Sequence, residues 1–209
     1  MSLRNVLLLG LLILVTVWWF RADVIVVSSD AFEPDLLAQL PERPFEDEPV
    51  QIELTDVPAL HWNGIQLQPR ALFGLESRVL GTRNYRFGRE TEVSTLDVAL
   101  GWGRMADPGI VSRFSISQSG RFYFWRAKEL PIPADEVARS SANMHMIAAN
   151  EAVRRELGRL DAGDRVRLHG VLLDLRWSDG GYWKTSLTRE DTGAGACEIV
   201  WVHSLERLP

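Results

Sequence analysis

The stretch NEAVRRELGRLDAGDRVRLHGVLLDLRWSDGGYWKTSLT, residues 150–188, decides the fold. Asn150 is a strong helix N-cap, because its side chain can accept from the free amides of a first turn. Val153, Leu157 and Leu160 then recur at helical spacing and Gly163 follows, so a helix is predicted from Asn150 to Leu160. From Asp164 to Trp177 the period changes: Val166, Leu168, Gly170 and Leu172 share one parity before apolar residues fill both, the pattern of a strand. Ser178-Asp179-Gly180-Gly181 is a hairpin turn, and Tyr182 to Thr188 is the predicted returning strand. A second turn, Asp191-Thr192-Gly193-Ala194-Gly195, leads into a last strand from Glu198 to His203.

Upstream of the helix the chain also reads as strands. Gln51 to Leu54 and Ile65 to Gln68 alternate polar and apolar residues, the second ending at Pro69, and Ala71 to Leu80 forms a long run. Ile116 to Arg126 is aromatic-rich with a bulge or bend at Ser119-Gly120, and Asn143 to Ile147 is a short strand. Three strands, a helix and two or three strands in hairpin series is the order of an OB-like barrel. The predicted fold class is β-rich α+β: a small OB-like barrel with one helix, spanning residues 50–209.

Residues 6–20, VLLLGLLILVTVWWF, carry no charge, with Arg4 before and Arg21 after. At 1.5 Å per residue they cover about 22 Å, and Ala22 to Val27 adds apolar length toward the ~30 Å of a bilayer core. Trp18-Trp19-Phe20 suits the aromatic belt at a membrane interface. A cleaved signal peptide competes, but bulky aromatics followed by Arg21 make a poor cleavage site. Residues 1–29 are therefore expected to be an N-terminal transmembrane anchor or a signal sequence. Arg4 and the α-amino group orient it N-terminus inward, which puts a single-pass protein in the inner membrane with its domain in the periplasm.

Net charge is −5, and its distribution is uneven. Residues 30–49 hold seven acids against Arg43 alone, with four prolines, and are expected to be an acidic, extended linker. From residue 50 onward acids and bases balance at 20 each, which disfavours a general nucleic-acid binder. The single cysteine, Cys197, reads as a small buried residue on a strand.

Four strings carry a resemblance: DVALGWGRMAD (97–107), ISQSGR (116–121), SANMH (141–145) and SLTREDTGAGACE (186–198). Together they resemble a family of short-anchored envelope proteins of Gram-negative bacteria with no established activity. The likeness spans roughly residues 71–203. It implies an envelope address and assigns no catalytic residue.

Several side chains are candidates for ligand binding. On a strand, Asn143 and His145 project to one face while Met144 and Met146 face the core. With Ser141 they could form part of a hydrolytic site, although a half-buried strand shows the same alternation. Trp102 and Arg104, on a glycine-flanked loop, could stack a ring or hold an anion. Arg121 belongs to a stretch, Arg78 to Lys128, with nine bases, four acids and interleaved aromatics, the residue types of a single-stranded nucleic-acid surface. Arg189 and Asp191 flank the last turn. Asp191-Thr192-Gly193 matches the aspartic-protease tripeptide, but those enzymes need two such carboxylates and one copy is present. Scattered histidines and a lone cysteine support no metal, and no cofactor motif occurs. The expectation is an anchored module, enzymatic role undecided and disfavoured, that binds an envelope protein or a small polar ligand. A hydrolase using His145 with Ser141 or Asn143 is the alternative.

Overall fold

The structure, a computed structural model, describes residues 24–28, 32, 34–41, 48–190 and 196–209. Among the described residues there are ten strands: β1 Val50–Glu53, β2 Leu60–Trp62, β3 Ile65–Asn84, β4 Leu96–Gly101, β5 Ser115–Ser119, β6 Phe122–Arg126, β7 Ser141–Ala148, β8 Arg165–Trp177, β9 Tyr182–Trp183 and β10 Glu198–Leu208. Helices are few and short, the longest in the described residues being Glu151–Leu157. The fold is strand-rich α+β, built on one large mixed sheet.

Sheet order is β1-β3-β4-β7-β10-β8-β9, with β2 on β3. β3 also pairs with β8 along most of its length, from Ile65 opposite Trp177 to Arg78 opposite Arg165. All of these pairings are antiparallel except β7 with β10, which run parallel from Met144–Glu198 to Ala148–Val202. Both sheet faces are buried. One side forms a cluster including Phe73, Leu75, Val98, Met144, Leu168 and Val200, closed by Val153 and Leu157 from the helix and by Leu160 just after it. The other side forms a second cluster around Leu67, Leu72, Val171, Leu173 and Trp201. That is why Val171-Leu172-Leu173 reads as a continuous apolar run.

The predicted helix is present, capped as expected: Asn150 Oδ1 accepts from Ala152 N at 2.9 Å and Val153 N at 3.0 Å. Other expectations need correction. β3 runs straight through Pro69, because the sheet slips register between Pro69 and Ala71 and so tolerates the missing amide. The Ile116–Arg126 element is a separate hairpin of β5 and β6, turned at Gly120 (φ 58°) and Arg121 (φ 70°). A two-residue turn with both φ positive matches the twist of the flanking strands. The strand expected from Tyr182 to Thr188 ends at Trp183, because Thr185 N bonds the Asp174 carboxylate at 2.9 Å and Ser186 N bonds Cys197 O at 3.0 Å. β4 was not anticipated at all.

The apolar run 6–20 lies outside the described residues, and among those described no helix is long and apolar enough to cross a membrane. Of residues 30–49, expected to be an extended linker, Phe32 and Leu40 are buried while Ala38, Gln39, Pro41 and Glu48 are exposed; residues 24–28, from the segment before it, are also held. Val26 bridges Ala148 in parallel, Val27 N donates to Ala148 O at 2.8 Å, and Trp201 Nε1 donates to Val27 O at 3.0 Å. Phe32 meets Trp201 edge-on at 4.5 Å between ring centres, and Leu40 joins the second cluster. Four apolar side chains among the acids (Phe32, Leu36, Leu37 and Leu40) are enough to fasten the segment down.

Gly170 shows how tightly the strands meet. A Cβ there would overlap the Trp201 carbonyl oxygen. Gly170→Ala is therefore expected to lower the unfolding free energy by about 1–3 kcal/mol, readable by urea denaturation.

Candidate ligand-binding site

β4 and β7 lie in antiparallel register with Asp97 opposite His145 and Ala99 opposite Asn143. Leu96, Val98, Met144 and Met146 enter the interior cluster, so Asp97, Asn143 and His145 share the opposite face. The β5–β6 hairpin lies over that face, seated on an apolar pad that includes Met105, Ile132 and Val137, with Ile116, Tyr123 and Trp125 packed against it.

Beneath the hairpin is a polar network centred on Asp97, which is fully buried. Its carboxylate receives Arg121 Nη1 at 2.8 Å and Asn143 Nδ2 at 3.1 Å, and His145 Nδ1 stands 2.7 Å away. Arg121 also donates from Nη2 to Ser94 O at 2.9 Å and lies over the Tyr85 ring at 4.1 Å. Gln118 Nε2 donates to Asn143 Oδ1 at 2.8 Å. Trp183 covers the histidine, 4.5 Å between ring centres. Residues from β4, β5, the hairpin turn, β7 and β9 thus converge on one acid.

Behind the network, at the Ser141 end of β7, a pocket of about 190 Å³ opens. Trp102, Phe122, Tyr123 and Trp125 supply aromatic walls, and Asn143, Thr188, Arg189, Cys197 and Glu198 supply polar ones. Tyr123 Oη and Ser141 Oγ share a hydrogen bond of 2.6 Å, and burial raises the Tyr123 phenol pKa. Arg189 is bound to the Glu198 carboxylate and donates to Gln51 Oε1 at 3.2 Å. Burial pushes the Cys197 thiol up to about 12, so it stays protonated and unreactive. A wider polar groove of about 590 Å³ adjoins the pocket across Trp102, Thr188 and Arg189, with Glu48, Gln51 and Glu190 on its rim.

Of the residues singled out from sequence, Trp102, Asn143 and Arg189 line the pocket, while Arg121 and His145 belong to the network behind it. Arg104 does neither; it is half-exposed and pairs with Glu136 at 3.3 Å. Asp191 and the rest of the 191–195 turn lie outside the described residues. Ser141 and His145 are not brought together: four residues along a strand separate them by about 13 Å, and a nucleophile must sit within ~3 Å of its base. Ser141 Oγ instead donates to Val137 O at 2.5 Å. Tyr123 belonged to the aromatic stretch read as a stacking surface, whereas Asp97, Gln118 and Trp183 were not singled out as site residues; the signal for Asp97 was an acid inside the apolar run Leu96–Leu100. Among the described residues no three His, Cys, Asp or Glu side chains gather as a metal site.

No protein-family model, curated protein or solved structure matches the chain.

Proposed function

We propose that this chain is a membrane-anchored envelope docking module: an OB-like barrel, held in the inner membrane with its domain in the periplasm, that takes a bulky side chain of a partner protein into the pocket at Trp102. The barrel reading is supported by a ring of pairings, β3-β4-β7-β10-β8 and back to β3, with one parallel pair and a helix between its third and fourth strands. The anchor reading rests on the uncharged run 6–20 and on the family resemblance.

The observation that carries the docking role is the size and lining of the pocket. A 150 Å³ apolar cavity holds one benzene, so about 190 Å³ suits a single aromatic or branched side chain. By itself that is smaller than the ~300–1,000 Å³ of typical small-molecule sites, and the adjoining groove of about 590 Å³ gives a partner's backbone room to lie beside it. Partner-binding surfaces concentrate their affinity in such pockets. An OB-like barrel offers its second and third strands to oligonucleotides, but here the chain's own hairpin covers that face. This argues against the nucleic-acid alternative. Against the hydrolase alternative, Ser141 stands about 13 Å along the strand from His145.

Indole, as a side-chain mimic, tests the reading on the full chain in nanodiscs. Saturable shifts of the Ala142 and Ala196 methyl resonances are expected, and Thr188→Trp, which fills the exposed rim, should abolish them without altering stability. Unmoved methyl resonances at high indole would refute the docking role.

A further inference from the structure

We infer that the face of β3, β8 and β9 around Tyr182 is a second binding site, which takes the phosphate or carboxylate group of a small anionic molecule among Arg70, Arg176 and Lys184. It shares no residue with the pocket at Trp102 or with the groove beside that pocket.

The strand register assembles it. β3 and β8 set Gln66 opposite Arg176 and Gln68 opposite Asp174, and β9 sets Tyr182 opposite Arg176. Cross-strand partners share a face of the sheet. Leu67 and Leu175, which alternate with them, enter the second cluster, so the polar side chains stand on the other face. There they line a groove of about 490 Å³, with Leu54 and Pro69 as apolar walls. That volume falls within the ~300–1,000 Å³ of small-molecule sites, which the pocket at Trp102 does not reach by itself.

Asp174 fixes the base of the groove. It is 3% exposed, and its carboxylate accepts from Tyr182 Oη at 2.8 Å, from Thr185 N at 2.9 Å and from the Arg70 guanidinium. These bonds occupy the acid, hold the Tyr182 ring and leave Arg70 partly open to the groove.

Many arginines of the domain are tied to acids, Arg89 to Asp179 and Arg167 to Glu76 among them. Arg176 and Lys184 differ. Both are exposed, and among the described residues their side chains meet only the Tyr182 ring, with Arg176 Cζ and Lys184 Nζ each 5.7 Å from its centre. Three cations against the one acid of the lining leave a surplus of two positive charges at a single concave surface. Like charges gathered this way repel, and an anion between them removes the repulsion. The planar fork of Arg176 beside the Gln66 amide suits the paired oxygens of a carboxylate or phosphate.

Inorganic phosphate and acetate, each exchanged for chloride at constant ionic strength, test this on the full chain in maltoside micelles through the Leu54 methyl resonances. Saturable shifts are expected, and a response to one probe alone identifies the group that the site holds. Arg176→Gln should weaken binding about tenfold and Lys184→Gln about threefold. Neither side chain forms an ion pair among the described residues, so both variants should keep the urea midpoint of the unaltered chain. No shift with either probe, shifts that stay linear in anion concentration, or saturation unchanged in both variants would overturn the site.

Discussion

Asp97→Leu is expected to lower the unfolding free energy by about 3–5 kcal/mol, the cost of breaking a buried ion pair from one side. Asp97 is wholly buried and receives Arg121, Asn143 and His145 together. Removing it strands a guanidinium whose side chain retains only 14% exposure, along with two further donors. Arg121→Met should cost about half as much, because the carboxylate keeps Asn143 and His145 while desolvation of the lost cation is relieved. The hairpin should also loosen in Asp97→Leu, since Arg121 and Gln118 tie it to the sheet through this network. Urea unfolding reads the first effect, and hydrogen exchange across residues 115–126 reads the second. Equal stability of Asp97→Leu and the unaltered chain would mean that the hairpin is held by its apolar pad alone.

Trp201→Ala is expected to be as severe, at about 3–5 kcal/mol for truncating a fully buried tryptophan. Trp201 stands in the parallel β7–β10 pair, packs against Phe32 and donates its indole N–H to Val27 O. It is the point at which the N-terminal segment meets the sheet. Beyond the loss of global stability, the segment itself should detach, so limited proteolysis should cut between residues 28 and 48 much faster than in the unaltered chain. Trp201→Phe keeps most of the ring contact but leaves a buried carbonyl without its donor, for about 1–3 kcal/mol. If neither change exposes the segment to protease, its attachment rests on Leu40 and the His169 Nε2 bond to Pro41 O at 3.0 Å instead.

The two outcomes bear on function differently. The Asp97 network fixes the hairpin whose Tyr123 and Trp125 wall the pocket, so weakening it should blur the pocket without filling it. The Trp201 contact holds Val27 and Phe32 against the sheet, so weakening it should loosen that segment while leaving the pocket intact.

Much of the architecture follows from local signals. Asn150 with Val153 and Leu157 specifies a capped helix, and alternation over residues 165–177 specifies a strand, because both depend on neighbours within one turn or one pleat. β4 escaped because six residues, all buried, show no alternation; each of its faces is covered by a different part of the molecule. Within residues 30–49, the described Phe32 and Leu40 are buried, which composition did not signal for a related reason. Acids and prolines set the average character of residues 30–49, while a few apolar side chains set where the described part of it lies.

Sequence by itself determined the uncharged N-terminal run, the helix and its cap, most of the strands, and the shared face of Asn143 and His145. Only the tertiary structure decided that Asp97 joins them under a hairpin, that Ser141 stands apart from His145, and that Val27, Phe32 and Leu40 pack into the second cluster. Strand and helix periods are properties of adjacent residues, whereas a buried charge finds its partners across 24 and 48 residues of chain, at distances no periodicity encodes.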